Sequence, residues 1–131
     1  MTDLPSALIP YLTVADGRAA LEFYREIFGA EPRGEVFEMD DGRLGHAEFA
    51  IGDQVFYLAD EFPEMKLRSP GAAGSNSVSF VLAVDDCDAV YAHALTAGAT
   101  GEREPADQHG FRSAWLVDPW GHRWSPTSAG S

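Results

Sequence analysis

The sequence contains the same motif twice, about 70 residues apart. Leu-Thr-Val-Ala-Asp at 12–16 is matched by Leu-Ala-Val-Asp-Asp at 82–86, so that Val14 corresponds to Val84 and Asp16 to Asp86 at an offset of 70. Repetition at a fixed spacing is typical of a chain built from copies of one supersecondary unit. We therefore predict two similar units in tandem, with a cleft between them.

Glycines mark the same points in both copies. Gly29 and Gly98 follow the two predicted helices at an offset of 69, and a turn glycine comes 23 residues later in each copy, at Gly52 and at Gly121. The change of offset from 70 to 69 indicates one deletion in the second helix.

Local patterns predict a strand, a helix and three further strands in each copy. Asp16 suits the N-cap of a helix that stops at Gly29, and Gly-Asp at 52–53 is a hairpin signal. In the first copy we expect strands at 9–14, 36–39, 45–51 and 54–59 and a helix at 17–28. In the second copy we expect strands at 77–84, 101–104, 111–117 and 122–126 and a helix at 86–97.

Charge limits the partners of the chain. Its 131 residues include 9 Lys and Arg against 21 Asp and Glu, a formal net charge of −12 at pH 7. That charge disfavours phosphate backbones and anionic lipids, so we expect no nucleic-acid partner and no membrane partner. No apolar run approaches the ~20 residues of a membrane span, residues 1–5 lack signal-peptide features, and Cys87 is the single cysteine. These features predict a cytoplasmic protein.

Alternation along the predicted strands separates a helix-facing side from an open side. In the strand at 77–84, the apolar residues at positions 78, 80, 82 and 84 suit packing against a helix, which leaves Ser79 on the open side. The same reasoning places Tyr11, Thr13, His46 and Glu48 on the open side of the first copy. Aromatic residues at positions 56, 111 and 115 are expected there as well. Such a mixture of polar and aromatic side chains is typical of a ligand-binding cleft.

The order of the elements and three motifs resemble a known superfamily. Val-Ala-Asp at 14–16 leads into Phe-Tyr-Arg-Glu-Ile-Phe-Gly at 23–29, and Asp-Pro-Trp-Gly-His-Arg-Trp follows at 118–124. Tandem βαβββ units with these motifs resemble the vicinal oxygen chelate superfamily of glyoxalases, extradiol dioxygenases, fosfomycin-resistance enzymes and bleomycin-resistance binding proteins. The resemblance covers nearly the whole chain and is specific for the fold, but not for one activity.

The resemblance implies an α+β fold. Two tandem βαβββ modules are expected to form a curved mixed sheet around a cleft, with the helices on the outer face. We expect a single vicinal-oxygen-chelate-type domain at 1–131, with modules at about 6–60 and 76–128 and a linker at 61–75. Many members of the superfamily complete each cleft with strands of a second chain, which implies a homodimer. Pairing of the modules within one chain or across two chains stays open.

The resemblance also implies where a metal ion would be held. The metal enzymes of the superfamily take ligands such as His, Gln and Glu from the first and last strand of each module, and these four positions are here Ile9, Phe56, Ser79 and Ser125. None supplies the imidazole, carboxylate or thiolate that catalytic metals prefer. A slip of one residue offers no better set: Pro10, Tyr57, Val78 and Trp124 or Pro126. We therefore expect no metal and no cofactor.

His46 and Glu48 are the acid–base pair of the sequence, and three interpretations of them stay open. They are a polar pair on a half-exposed strand, ligands of a displaced metal that His109 completes, or hydrogen-bond partners of a bound molecule.

Bleomycin-resistance proteins and related self-protection proteins of the superfamily lack the metal site and sequester a drug in an aromatic-lined groove. The chain looks more like these, and we expect a metal-free, dimeric protein that binds a small hydrophobic or aromatic molecule, such as an antibiotic or secondary metabolite. The alternative is a glyoxalase, dioxygenase or isomerase that uses a displaced metal or an acid–base pair at His46 and Glu48. The candidate ligand-binding residues are Tyr11, Thr13, His46, Glu48, Phe56, Ser79, Phe111, Ser113, Trp115, Arg123 and Ser125.

Overall fold

A computed structural model describes residues 4–130 of the chain. The chain divides into two compact units, of which the first ends at Ser69 and the second begins at Pro70. Each unit has the order strand, helix, strand, strand, strand, which confirms the predicted tandem βαβββ arrangement. The division falls inside the stretch at 61–75 that we expected to be a linker.

The first unit is a four-stranded mixed sheet with one long helix. Its elements are β1 (Tyr11–Val14), α1 (Gly17–Phe28), β2 (Glu31–Glu38), β3 (Leu44–Ile51) and β4 (Gln54–Asp60), followed by a 3₁₀ turn at Pro63–Met65. The strands lie in the order β1-β4-β3-β2. β1 and β4 are parallel, whereas β4 with β3 and β3 with β2 are antiparallel.

The second unit repeats this topology. Its elements are α2 (Pro70–Ala73), β5 (Ser79–Ala83), α3 (Cys87–Thr96), β6 (Thr100–Gln108), β7 (Phe111–Val117) and β8 (Arg123–Ala129). The strand order is β5-β8-β7-β6, again with one parallel pair, β5 with β8, and two antiparallel pairs.

The duplicated aspartate caps the long helix in both units. The side chain of Asp16 accepts a hydrogen bond from the backbone N–H of Ala19 at 3.1 Å, and that of Asp86 accepts one from Ala89 at 3.0 Å. α1 stops at Gly29, whose φ of 72° lies in the left-handed region that favours glycine. The repeat in the sequence is therefore a repeat of helix starts.

The predicted bounds are best inside the units and poorest at the sheet edges. The helix at 17–28 and the strand at 111–117 have the predicted ends. The edge strands β2 and β6 are longer than the predicted strands at 36–39 and 101–104, and β8 extends three residues beyond 126. Every residue of β2 is exposed. A strand with no buried face has no apolar alternation for a sequence to reveal.

The core of the first unit lies between α1 and one face of the sheet. Phe49 of β3 is 1% exposed and stacks on Phe56 of β4 at a centroid distance of 5.0 Å and on Tyr24 of α1 at 5.3 Å. Aromatic pairs of this kind contribute about 0.5–1.5 kcal/mol beyond the burial of their area. The stack connects helix, central strand and last strand through three side chains.

Phe56 belongs to this core, and its predicted place on the open face was wrong. It pairs with Phe49 in the β3–β4 register and is 5% exposed. Its neighbour Tyr57 pairs with Glu48 and lies on the open face instead. Because side chains alternate along a strand, an error of one residue moves a side chain to the opposite face.

Phe56 was placed on the wrong face because the turn glycines Gly52 and Gly121 were taken as equivalent. Tyr57 lies opposite Tyr11 and Ser125 lies opposite Val81, so Tyr57 and Ser125 are equivalent at an offset of 68. The last hairpin has two residues between its strands in the first unit, at 52–53, but five in the second, at 118–122. The turn glycines of the two hairpins are therefore not equivalent.

The five-residue turn of the second unit is organised around Asp118, which is 3% exposed. One carboxylate oxygen accepts hydrogen bonds from the backbone N–H groups of Trp120 and His122, both at 3.0 Å. The other accepts one from the indole Nε1 of Trp124 at 2.9 Å. The Asp-Pro-x-Gly-His motif thus fixes the turn and orients the largest buried side chain of the unit.

No helix formed within residues 4–130 has the length and apolar character needed to cross a membrane.

The carboxylate of Asp118 gives a test of this arrangement. Asp118→Ala leaves the N–H groups of Trp120, His122 and Trp124 without their acceptor, and we expect a loss of about 2 to 3 kcal/mol in the free energy of unfolding. Urea denaturation followed by tryptophan fluorescence measures it. Asp53→Ala in the exposed hairpin turn of the first unit is the control and should stay within about 0.5 kcal/mol of the parent. An unchanged urea midpoint for Asp118→Ala would contradict the assigned role.

Candidate functional site

The first unit contains a cavity of about 460 Å³ on the open face of its sheet. A volume of this size lies within the range of roughly 300–1,000 Å³ that is typical of small-molecule sites. We call it the pocket. Most of its lining is apolar, and the lining residues are Tyr11, Thr13, Met39, Gly45, Ala59, Phe62, Met65 and Leu67.

Strands supply the floor of the pocket, and two loops supply its walls. Tyr11 and Thr13 come from β1 and Ala59 comes from β4, where Thr13 and Ala59 are register partners. Met39 lies in the turn that follows β2, and the remaining wall comes from the segment at 61–67, after β4. The floor of the pocket is therefore formed by strands, and its walls are formed by loops.

The 61–67 loop has its own hydrogen bonds. Phe62 and Leu67 form an isolated antiparallel bridge, and Phe62 N donates to Leu67 O at 2.9 Å. The carboxylate of Glu61 accepts hydrogen bonds from both the backbone N and the Oγ of Ser69 at 2.8 Å, which lowers the pKa of Glu61. This internal order presents Phe62, Met65 and Leu67 to the pocket as one wall.

Arg43 joins the two walls. Its guanidinium donates to Asp41 at 2.8 Å and to Glu64 at 2.8 Å, and it lies 4.1 Å from the ring centroid of Phe62. We call these contacts the Arg43 clasp. The hydrogen bond from Arg43 lowers the pKa of Glu64, and the pKa of Asp41 is lowered first by the backbone N–H of Arg43 and then by its side chain. The clasp therefore holds two ionised carboxylates beside the pocket at neutral pH.

A chain of three hydrogen-bonded side chains begins at the pocket residue Tyr11. Glu48 Oε1 lies 3.3 Å from His46 Nε2, and His46 Nδ1 lies 3.0 Å from the hydroxyl of Tyr11. Tyr11 Oη also lies 3.2 Å from the carbonyl oxygen of Gly45. The structure thus brings together three of the predicted site residues, and Tyr11 connects them to the pocket.

The ring of Tyr57 packs edge to face against both rings of this chain. The centroid of Tyr57 is 4.6 Å from that of His46 and 5.5 Å from that of Tyr11. Burial raises the pKa of Tyr11, and Tyr57 raises it further. The Tyr11 hydroxyl therefore keeps its proton at neutral pH.

The predicted site residues of the second unit lie mostly on the open face of its own sheet. The guanidinium of Arg123 stacks 3.7 Å from the ring centroid of Trp115, donates to Ser79 Oγ at 3.1 Å and pairs with Glu102 at 2.7 Å. One face of Trp115 is therefore already occupied by an arginine.

Two of the other predicted residues of this unit, Ser113 and Ser125, have partners within it. Ser113 Oγ accepts a hydrogen bond from Arg103 at 2.8 Å, and Ser125 Oγ lies 3.3 Å from Thr127 Oγ1. Phe111 is 55% exposed at the start of β7, beside the turn that contains His109. The second unit thus presents a face whose arginines and hydroxyls are largely engaged with each other.

The residues at the metal positions of the superfamily do not suit a metal ion. With the corrected equivalence, the four positions hold Ile9, Tyr57, Ser79 and Ser125, which offer no imidazole, carboxylate or thiolate. Among residues 4–130, no three His, Cys, Asp or Glu side chains lie close enough together to hold an ion. The expectation that the protein works without a metal stays a prediction.

Sequence reasoning identified two of the eight residues that line the pocket, Tyr11 and Thr13. Met39, Phe62, Met65 and Leu67 line it, but they lie in a turn and in the stretch at 61–75 that we treated as a linker. One signal was available: three large apolar side chains occur within six residues of a segment with no predicted strand or helix. Apolar residues in a loop need a surface to cover.

The chain is similar in sequence to a known superfamily and to several known proteins. The sequence profile of the Glyoxalase/Bleomycin resistance protein/Dioxygenase superfamily matches residues 7–125. An uncharacterised protein of Mycobacterium bovis is 39% identical over 123 residues, covering 91% of this chain and 80% of the relative. The anthracycline biosynthesis protein DnrV of Streptomyces peucetius is 32% identical over 124 residues, which cover 92% of this chain and 41% of DnrV.

A solved structure shows the same architecture. The PhnB protein of Bacillus cereus superposes with a TM-score of 0.73 over 95% of this chain and 100% of its own, at 20% identity. At that identity the likeness establishes the fold alone.

Because the Arg43 clasp joins the two pocket walls, we expect its loss to make the segment at 61–69 more mobile. Arg43→Gln removes both ion pairs and the stacking on Phe62, so we expect faster hydrogen–deuterium exchange in residues 61–69, measured by mass spectrometry. Arg25→Gln is the matched control, because it removes an exposed ion pair with Glu22 on α1 and leaves the walls untouched. Equal exchange of residues 61–69 in Arg43→Gln and the parent chain would show that the clasp does not hold the walls.

Proposed function

The chain belongs to the Glyoxalase/Bleomycin resistance protein/Dioxygenase superfamily, as its motifs predicted, and we propose that it is a metal-free binding protein that sequesters a small hydrophobic or aromatic molecule. The proposed ligand is an antibiotic or another secondary metabolite. The proposed site is the pocket of the first unit.

The apolar lining of the pocket is the observation that carries this proposal. Of its eight lining residues, only Tyr11 and Thr13 have polar side chains. Met39 and Met65 are 46% and 65% exposed. Methionine side chains adapt their shape to irregular partners and contact aromatic rings favourably through sulfur. Such a pocket suits a flat, largely apolar molecule of moderate size.

The relatives support a connection with secondary metabolism. DnrV is named as an anthracycline biosynthesis protein, and a second protein with that description, DauV of a Streptomyces strain, is 32% identical over 112 residues. This chain matches 41% of DnrV and 36% of DauV, so their activities extend to it only as a proposal.

Charge beside the pocket favours ligands that carry a positive charge. Glu38, Asp40 and Asp41 line, together with Met39, a neighbouring cavity of about 350 Å³. Met39 also lines the pocket, so an aromatic molecule there would place a basic substituent close to Asp40. Asp41 already pairs with Arg43, and Glu38 with Arg18. The net charge of −12 acts in the same direction over longer distances.

We also propose that the protein is a homodimer that acts in the cytoplasm. Val36 and Phe37 on the edge strand β2 are 46% and 65% exposed, and apolar side chains on an unpaired edge are typical of a contact surface. The only cysteine, Cys87, is buried and free, as suits a reducing compartment. Light scattering at micromolar concentration tests the dimer.

Acid–base catalysis is the second candidate function. The hydrogen-bonded chain from Glu48 through His46 to Tyr11 favours it, because such a chain positions a proton-transferring group at the edge of the pocket. Recovery of an aromatic ligand unchanged after prolonged incubation, checked by mass spectrometry, supports sequestration. Conversion of the ligand that is lost in Glu48→Gln, or a stoichiometric metal in the purified protein, would replace the binding proposal with an enzyme.

Filling the pocket should weaken binding. Ala59 is 6% exposed and lies on the pocket floor, so Ala59→Leu places a branched side chain in the ligand volume. We expect a loss of affinity for an anthracycline of about tenfold or more, since tenfold corresponds to only about 1.4 kcal/mol. Isothermal titration calorimetry measures it.

Ala83→Leu provides the matched control for this substitution. Ala83 ends β5, the strand of the second unit that corresponds to β1, and it is exposed and outside the pocket. The affinity of the Ala83→Leu variant for the anthracycline should equal that of the parent. Equal affinities for Ala59→Leu and Ala83→Leu would place the ligand elsewhere.

A further inference from the structure

The hydrogen bonds of Tyr11 determine what kind of polar group the pocket accepts. A phenolic hydroxyl has one proton to donate and two lone pairs to accept with. Two acceptors of the protein lie within reach of the Tyr11 proton: His46 Nδ1 at 3.0 Å and the Gly45 carbonyl oxygen at 3.2 Å. The Tyr11 proton therefore has a hydrogen-bond acceptor within the protein when no ligand is bound.

Glu48 settles the role of His46 in this arrangement. A carboxylate only accepts hydrogen bonds, so the contact of 3.3 Å between Glu48 Oε1 and His46 Nε2 requires the proton on Nε2. In the neutral imidazole, Nδ1 is then an acceptor and takes the Tyr11 proton. If His46 carries a second proton, Nδ1 donates to Tyr11 Oη and the Tyr11 proton turns to Gly45.

Tyr11 presents the same hydrogen-bonding group to the pocket whether His46 carries one ring proton or two. The Tyr11 proton stays with a protein acceptor, and at least one lone pair of its oxygen remains for a partner. Burial raises the pKa of Tyr11, so the group acts as a neutral acceptor and not as an anion. Around it the pocket is apolar except for Thr13. A ligand that offers only an acceptor at this point must compete with His46 Nδ1 and the Gly45 carbonyl oxygen for the Tyr11 proton.

We infer that Tyr11, held by His46 and Glu48, makes the pocket selective for aromatic molecules that carry a hydroxyl group, which donates its proton to Tyr11 Oη. This inference rests on the proposed binding function and specifies its ligand class as hydroxylated aromatic rings. His46 and Glu48 act as positioning residues, since His46 contacts Tyr11, Glu48 contacts His46, and neither lines the pocket.

Two naphthalene probes test the inference. 2-Naphthol offers a hydroxyl donor, whereas 2-methoxynaphthalene keeps the ring and the oxygen but cannot donate. A purely apolar pocket would favour the methoxy compound, which is the more hydrophobic of the two. The inferred hydrogen bond reverses that order, and we expect the parent protein to bind 2-naphthol about three- to tenfold more tightly, the range of one neutral hydrogen bond. Titration calorimetry with each probe gives the ratio of dissociation constants.

Variants assign the preference to its residue. Tyr11→Phe keeps the ring and should abolish the preference for 2-naphthol while it still binds both probes. Tyr57→Phe is the matched control, because it removes a hydroxyl from the neighbouring ring that does not line the pocket and has no part in the chain. It should retain the preference. Circular dichroism confirms that both variants are folded.

The possible results separate this inference from the proposed function. Binding of both probes without preference in the parent, or a preference that persists in Tyr11→Phe, overturns the role of Tyr11 and leaves the binding function intact. Failure of the parent to bind either probe contradicts the proposed function for this pocket, and the inference falls with it.

Discussion

The register of β3 against β4 decides which side chains of the first unit meet the helix and which meet a ligand. It is held by the stack of Phe56 on Phe49 and of Phe49 on Tyr24 of α1. Because side chains alternate along a strand, this stack places His46 and Glu48 of β3 on the face away from the core. The open-face residues of β4 lie on that face as well. A register shift of one residue in β3 would bury the carboxylate of Glu48 and expose the ring of Phe49, at a large cost in the free energy of folding.

The same topology has produced two different faces in the two units. Tyr11 and Tyr57 lie opposite each other in the first unit, whereas Val81 and Ser125 occupy these positions in the second. The first unit uses its face for an apolar pocket with a hydrogen-bonded edge. The second engages its open-face arginines with its own groups, as in the stacking of Arg123 on Trp115. The duplication therefore fixes the architecture, and the chemistry of each face follows from a few substitutions on equivalent strands.

The parts of the fold that sequence reasoning recovered are those with a strong local signal. The N-cap aspartates, the stop at Gly29 and the alternation in the central strands each have a physical cause within a few residues of chain. The edge strands β2 and β6 were predicted too short, in β2 because full exposure removes alternation. The place of Phe56 was wrong because a longer turn in the second copy breaks the alignment. Tyr11, Thr13, His46 and Glu48 were identified as candidate site residues. The 61–67 wall was missed, since its contacts with Arg43, through Glu64 and Phe62, join residues that are distant in sequence.

Methionine methyl resonances test the central claim most directly, that the pocket of the first unit holds an aromatic molecule. The chain contains three methionines, and two of them, Met39 and Met65, line the pocket from opposite walls. In protein labelled with ¹³C at the methionine methyl groups, saturating 2-naphthol should shift the resonances of both by the ring current of the bound molecule. Binding of 2-naphthol by calorimetry with both resonances unmoved would contradict the account.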